Sequence, residues 1–201
     1  MITDCTAIIL AGGDSRRMGS DKANLLLGEQ TLLQRVIATM QQVFPCVVVS
    51  VRQPRSGIDL PQICDERTNA DEGLPGGGPL AGLVSCLGSI ATPWAFAVAC
   101  DMPFIEPSLV EWLGRFRSTY QAVVPVVQGH PQPLSAFYAA SCLASMRESL
   151  AMRDKSLRGA LQALDVRYID EAEMLDTDPR LRSFFDLDTP QDVEKALPGV
   201  K

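Results

Sequence analysis

The chain holds a single histidine and no Cys-x-x-Cys pair, so the common zinc-binding spacings are absent. It is poor in positive charge. Lys and Arg number 18 against 24 Asp and Glu, for a formal net charge of −6 and a pI near 4.8. That balance is a poor electrostatic match for nucleic acid, so any nucleotide chemistry is expected to use small nucleotides. No apolar run reaches the roughly 20 residues a membrane helix needs, and no membrane association is expected. The opening MITDCTAIIL lacks the basic start and long apolar stretch of a signal peptide. No internal repeat, low-complexity tract or linker is visible, so one domain over residues 1–201 is expected. The two common nucleotide fingerprints are missing as well. Gly12 and Gly13 are adjacent, which breaks G-x-G-x-x-G, and Gly19 is followed by Ser20 and Asp21 rather than lysine, which breaks the Walker A pattern.

What is present is ordinary for a globular protein: 201 residues, 46% hydrophobic and 21% charged. A chain of that length buries enough surface to need no disulfide or metal staple. Cys5, Cys46, Cys64, Cys86, Cys100 and Cys142 sit mostly in apolar surroundings. They read as buried, reduced thiols of a cytoplasmic protein.

The apolar pattern alternates between strands and helices. Thr6–Leu10, Val47–Val51, Gln62–Cys64, 94–100, Ala122–Val127, Pro133–Tyr138 and Val166–Ile169 read as strands. Residues 31–43, 80–90, Pro107–Phe116, 140–150, 156–164 and Glu171–Leu175 read as helices, with Pro107 at a first turn. Phe184–Leu187 reads as a strand end, after which Thr189 can cap a last helix with Pro190 at its first position. Strands that are apolar throughout and alternate with helices predict an α/β fold: a mostly parallel sheet with helices on both faces, Rossmann-like in its three layers.

In such folds ligands bind beyond the carboxyl ends of the strands. Three polar features fall there. The first is the loop after the first strand, with Gly12 and Gly13 followed by Arg16, Arg17 and Lys22. Glycines let a ligand approach the backbone, and arginine forks suit phosphate. A solvated basic turn is the other reading. The second is Asp65. The third is Asp101, set directly after a fully apolar strand, where a carboxylate is costly unless it faces a polar site. Magnesium ligation and helix capping both account for it. Asp186 and Asp188 alternate, and on a strand both would project to one side, as metal ligands or as caps. His130 lies in the turn QGHPQP and reads as a loop residue.

Residues 10–22, LAGGDSRRMGSDK, resemble the opening signature of molybdenum cofactor guanylyltransferases, L-A-G-G-x-x-x-R-M-G-x-D-K. Further blocks resemble that family in order: GPLAGL (78–83), ACDMPFI (99–105), QPLSAFY (132–138) and DLDTPQD (186–192). The resemblance implies the nucleotide-diphospho-sugar transferase type of fold. It implies transfer of GMP from Mg²⁺-bound GTP to molybdopterin, with loss of pyrophosphate, and transient contact with molybdoenzymes or their chaperones. Carried onto these positions, Leu10, Ala11, Gly12 and Gly13 bind the nucleotide through backbone groups. Arg17 and Lys22 hold its phosphates. Asp65 contacts the nucleotide, and Asp101 coordinates Mg²⁺, with Asp188 as a candidate second ligand. Ser50 stands where the family has a nucleotide-contacting asparagine. DLDTP departs from the usual N-x-N-T-P and occurs in cytidylyltransferase relatives, so a CTP-dependent or other small-phosphate nucleotidyltransferase is the alternative reading.

Overall fold

The computed structural model describes residues 1–12, 22–65, 78–152, 156–187 and 192. The chain opens on β1 (Cys5–Leu10), buried at every position. A short hairpin follows, β2 (Leu26–Leu27) and β3 (Gln30–Thr31), turning through Gly28 at a φ of 69°, a conformation that favours glycine. It feeds α1 (Leu32–Val43) through a capping box: the Thr31 hydroxyl accepts from the Gln34 N–H, and the Gln34 side chain accepts from the Thr31 N–H. Next come β4 (Cys46–Val51), β5 (Gln62–Cys64), α2 (Gly78–Leu87), β6 (Trp94–Ala99) and α3 (Pro107–Leu113). The last elements are β7 (Ala122–Val127), β8 (His130–Pro131), β9 (Ser135–Ala139), α4 (Leu143–Ala151), α5 (Leu157–Ala160), β10 (Val166–Ile169) and α6 (Glu171–Met174).

The sheet runs in the order β10-β7-β9-β6-β1-β4-β5, with β8 on β7. β1 is central and pairs in parallel with β4 and with β6. β5 is parallel to β4, and β10 is parallel to β7. β9 is antiparallel to both of its neighbours. The connection from β7 to β9 is too short for the dozen or more residues of a parallel crossover, so the chain returns antiparallel. The expected mostly parallel sheet is present.

Alternation along the strands builds two cores. Ala7, Ile9, Val49, Phe96, Val98 and Phe137 face one side, against α1 and α3. Ile8, Leu10, Val48, Ala95, Ala97, Ala136 and Tyr138 face the other, against α2, α4 and α5. The first face is filled by rings. Phe96 lies 5.7 Å from Phe44 and 4.7 Å from Phe137 between centroids. The second face carries alanines at the centres of β6 and β9, Ala95, Ala97 and Ala136. The result is the three-layer arrangement read from the pattern.

Some boundaries differ from the sequence reading. The helix expected to run to Phe116 ends at Leu113 and finishes as a 3-10 turn. The helix expected over 156–164 is α5 plus a 3-10 turn, with Ser156 accepting from the Gly159 N–H. His130 is not in an open loop: it pairs with Val127 across the β7–β8 hairpin. Phe184–Leu187 is not a strand end. Arg182–Phe184 forms a 3-10 turn entered through Leu181 at a φ of 49°, and residues 185–187 are irregular. Asp178 is the cause, because its carboxylate oxygens accept from the Arg182 and Ser183 N–H groups and curl the chain. The expected last helix lies outside the described residues. Among the described residues no helix is long and apolar enough to cross a membrane.

Phe96 is fully buried at the centre of the ring cluster. Phe96→Ala is expected to lower unfolding free energy by about 3–5 kcal/mol, read from urea denaturation. A loss below about 1 kcal/mol would contradict this packing.

Candidate active site

Because β1, β4, β5 and β6 run parallel, they leave the sheet at one edge. The chain after each strand there lines a single cavity of about 560 Å³. Leu10, Ala11 and Gly12 come from β1 and its loop, Ser50 and Arg52 from β4, Asp65 from the end of β5, and Cys100 and Asp101 from the end of β6. Gly78, Pro79 and Gly82 of α2 close one side. Gln132, Pro133 and Leu134, with Arg158, Phe184 and Asp186, close the rest.

Lys22 and Asp101, 79 residues apart, form an ion pair of 3.1 Å from Nζ to Oδ2. Their side chains are 20% and 18% exposed, so the pair is mostly shielded yet open to the cavity. Local structure brings them there. Lys22 begins a 3-10 turn that ends at Asn24, whose Ala23 is buried. Asp101 directly follows the stretch in which the Cys100 N–H donates to the Leu10 carbonyl at 3.1 Å. The Asp101 carbonyl in turn accepts from the Leu187 N–H at 3.0 Å, which holds Asp186 at the rim. Asp178, 4% exposed, anchors that segment, and Ser183 Oγ accepts from the Glu106 N–H at 3.0 Å.

A second polar corner lies at β4 and β5. Ser50 Oγ donates to Asp65 Oδ1 at 3.0 Å. Asp65 is half-buried, and burial raises its carboxyl above the usual value of 3.8; the Ser50 hydrogen bond and the Arg52 charge oppose that rise. The backbone beside it is committed. The Ala11 N–H donates to the Ser50 carbonyl at 2.9 Å, and the Ala11 carbonyl accepts from Arg55 Nη2 at 2.9 Å. Among the described residues a Cβ at Gly12 would make ordinary contacts, 3.5 Å from Arg52 Cγ and from Asp65 Oδ2.

The structure thus brings Leu10, Ala11, Gly12, Lys22, Ser50, Asp65 and Asp101 to one cavity. Gly13, Arg17 and Asp188 lie outside the described residues. His130 is not among the cavity-lining residues, although Gln132 two positions on is. Sequence reading missed Arg52 and Arg158, which no local motif marks, and it held Gly82 only as part of the GPLAGL block, without a role of its own.

Residues 7–171 match the family model described as the MobA-like NTP transferase domain. A protein of Chloroflexus aggregans named "probable molybdenum cofactor guanylyltransferase" is 39% identical over 197 residues, covering 94% of this chain and 91% of that one. A protein of the same name from Pelotomaculum thermopropionicum is 35% identical over 191 residues, covering 95% and 91%. The solved molybdopterin-guanine dinucleotide biosynthesis protein A of Archaeoglobus fulgidus has a TM-score of 0.81 at 24% identity, covering 96% of this chain and 97% of that one. It is similar in fold.

The raised Asp65 carboxyl carries a sign. Below its unfolded value of 3.8 the group is protonated in both states and burial costs nothing. As pH rises past that value the charged form is penalised only in the folded state. Asp65→Asn is therefore expected to be more stable than the parent at neutral pH and indistinguishable at pH 3, by denaturant unfolding at the two pH values. A variant destabilised at neutral pH would contradict this.

Proposed function

The chain belongs to the MobA-like NTP transferase family, and from that premise we propose that it transfers GMP from GTP to molybdopterin. The products are pyrophosphate and molybdopterin guanine dinucleotide. The observation that carries this reading is the Lys22–Asp101 pair in the cavity beyond the parallel strands. In this reading the ammonium serves the phosphates and the carboxylate beside it serves the metal, in a chain whose relatives bear the guanylyltransferase name. The reaction is assigned to one domain spanning the chain, in the cytoplasm, with hand-over of product to molybdoenzymes or their chaperones by transient contact.

The acceptor's terminal phosphate is mostly a dianion at neutral pH, since its second pKa is about 6. Its oxygen attacks the α-phosphorus of GTP directly and needs no general base. The bond to the β-phosphate oxygen breaks, and pyrophosphate leaves with the electron pair. Catalysis then consists of alignment and charge neutralisation. Lys22 places its ammonium against the phosphates, joined by Arg17. Gly12 and Gly13 let the triphosphate approach the backbone. Among the described residues the neighbours of Gly12 do not themselves demand glycine, which suits a demand made by the ligand. Asp65, backed by Ser50, contacts the nucleoside end.

The residues present suit Mg²⁺. Asp101 and Asp186 are hard oxygen donors on one cavity. The ion ordinarily takes one or two protein carboxylates and fills its remaining positions with water and substrate phosphates. Asp101 and Asp186, with Asp188 as a further candidate, would hold it. When bound it supplies Lewis-acid neutralisation of the triphosphate.

Asp101→Ala is expected to abolish turnover with the fold retained. Lys22→Ala is expected to lower kcat/KM by about 10²–10³, the range for removing one charge-stabilising group. Pyrophosphate release with saturating Mg²⁺ measures both. Full turnover by Asp101→Ala would overturn the site assignment.

A further inference from the structure

Two side chains meet at the inner wall of the cavity, with a third buried behind them. Ser50 lies on β4 and is 1% exposed, Cys86 lies on α2 and is fully buried, and Asp65 directly follows β5. Ser50 Oγ donates to Asp65 Oδ1 at 3.0 Å. Cys86 lies beside this pair, and burial pushes its thiol up to about 12, so it keeps its proton at neutral pH. A serine hydroxyl has one hydrogen to give. With that hydrogen on the carboxylate, Ser50 is committed to Asp65 as a donor.

The wall of α2 facing the Ser50–Asp65 pair is Gly82. A Cβ there would stand 2.5 Å from Ser50 Oγ, 3.1 Å from Asp65 Oδ1 and 3.2 Å from Leu10 Cδ2. Its φ is not in the left-handed region, so the backbone does not require glycine there. What it provides is space. A helix position that any residue could adopt is left without a side chain where the serine and the carboxylate meet.

We propose that Ser50 is a positioning residue of the nucleotide site: its hydroxyl aims the Asp65 carboxylate, and Gly82 is the gap that lets it do so. The proposal rests on the reading of Asp65 as a nucleotide contact. In it Ser50, buried behind Asp65, acts on the nucleotide through that carboxylate. Asp65 is faced by Ser50 and Arg52 from the end of β4, by Gly82 and Cys86 from α2, and by Gly12 from the loop after β1. Of these Arg52 alone carries charge at neutral pH. Loss of the Ser50 hydrogen bond removes an influence that keeps Asp65 ionised, so the carboxyl holds its proton to higher pH.

The test is calorimetric titration of GTP with Mg²⁺ into the full chain, from neutral pH down the acid limb. The variants are Ser50→Ala, Gly82→Ala, Asp65→Asn and the double variant Ser50→Ala with Asp65→Asn. Ser50→Ala is expected to weaken GTP by about tenfold, the effect of losing a hydrogen bond to a charged group, and to move the acid limb to higher pH. Gly82→Ala is expected to do the same with the serine still present, which covers the case in which Ser50→Ala folds poorly. In the Asp65→Asn background Ser50→Ala is expected to add nothing, because the pair acts as a unit. Unchanged affinity and pH profile in Ser50→Ala overturn the proposal, as does an equal loss in the Asp65→Asn background. If Asp65→Asn binds GTP like the parent, the reading of Asp65 fails and the proposal with it. If Asp65→Asn is weakened while Ser50→Ala and Gly82→Ala are not, the proposal alone fails.

Discussion

Parallel pairing of β1 with β4 on one side and β6 on the other is the constraint from which the site follows. Parallel strands require both faces covered, so their side chains are apolar and no charge can sit along them. All three strands point the same way, and each must turn at the same edge. The first polar residue after each strand therefore arrives at a common place. Gly12, Arg52 and Asp101 each lie two residues past the paired trio Leu10, Ser50 and Ala99, with Asp65 following β5, and all of them line one cavity.

The edge is held by more than the sheet. A small apolar cluster of Leu27, Leu32 and Leu187, with Leu25 and Phe104 packed on it, stands apart from the two main cores. Its members follow the charged residues closely in sequence: Leu25 three after Lys22, Phe104 three after Asp101, Leu187 one after Asp186. Ordinary apolar packing thus ties together three segments that carry unlike charges. The polar corner at Asp65 works the other way. There burial opposes ionisation, and Ser50 and Arg52 offset only part of it. The site gives up some stability to keep a carboxylate on its wall, a trade common where binding is the purpose.

The layers, the parallel sheet and the strand-end placement of Asp65 and Asp101 were legible from periodicity, because strand burial on both faces leaves a continuous apolar run such as WAFAVAC. The direction of β9 was not, since direction depends on connection geometry rather than composition. The segment at Phe184–Leu187 misled because two aromatic residues and alternating aspartates mimic a strand, while the deciding group, Asp178, lies outside it and acts through backbone N–H groups. Ser50 was legible as a site residue through the family resemblance. Its partnership with Asp65 was not, because it arises from register between β4 and β5, where Ser50 sits opposite Ile63. Gly82 falls within the GPLAGL block, but that resemblance gives it no role. Its reason appears only as a distance to Ser50.

Two features point in different directions over the nucleotide: the glycine loop resembles guanylyltransferases, while DLDTP also occurs in cytidylyltransferases. The relatives at 35% and 39% identity bear the guanylyl name, and the guanine reading stands on them and on the loop. The most direct test incubates the full chain and Mg²⁺ with molybdopterin and each of GTP, CTP, ATP and UTP, and weighs the product by mass spectrometry. Molybdopterin guanine dinucleotide formed from GTP, with pyrophosphate in equal amount, is the result predicted. A cytosine dinucleotide as the main product, or no dinucleotide from GTP, would contradict the account.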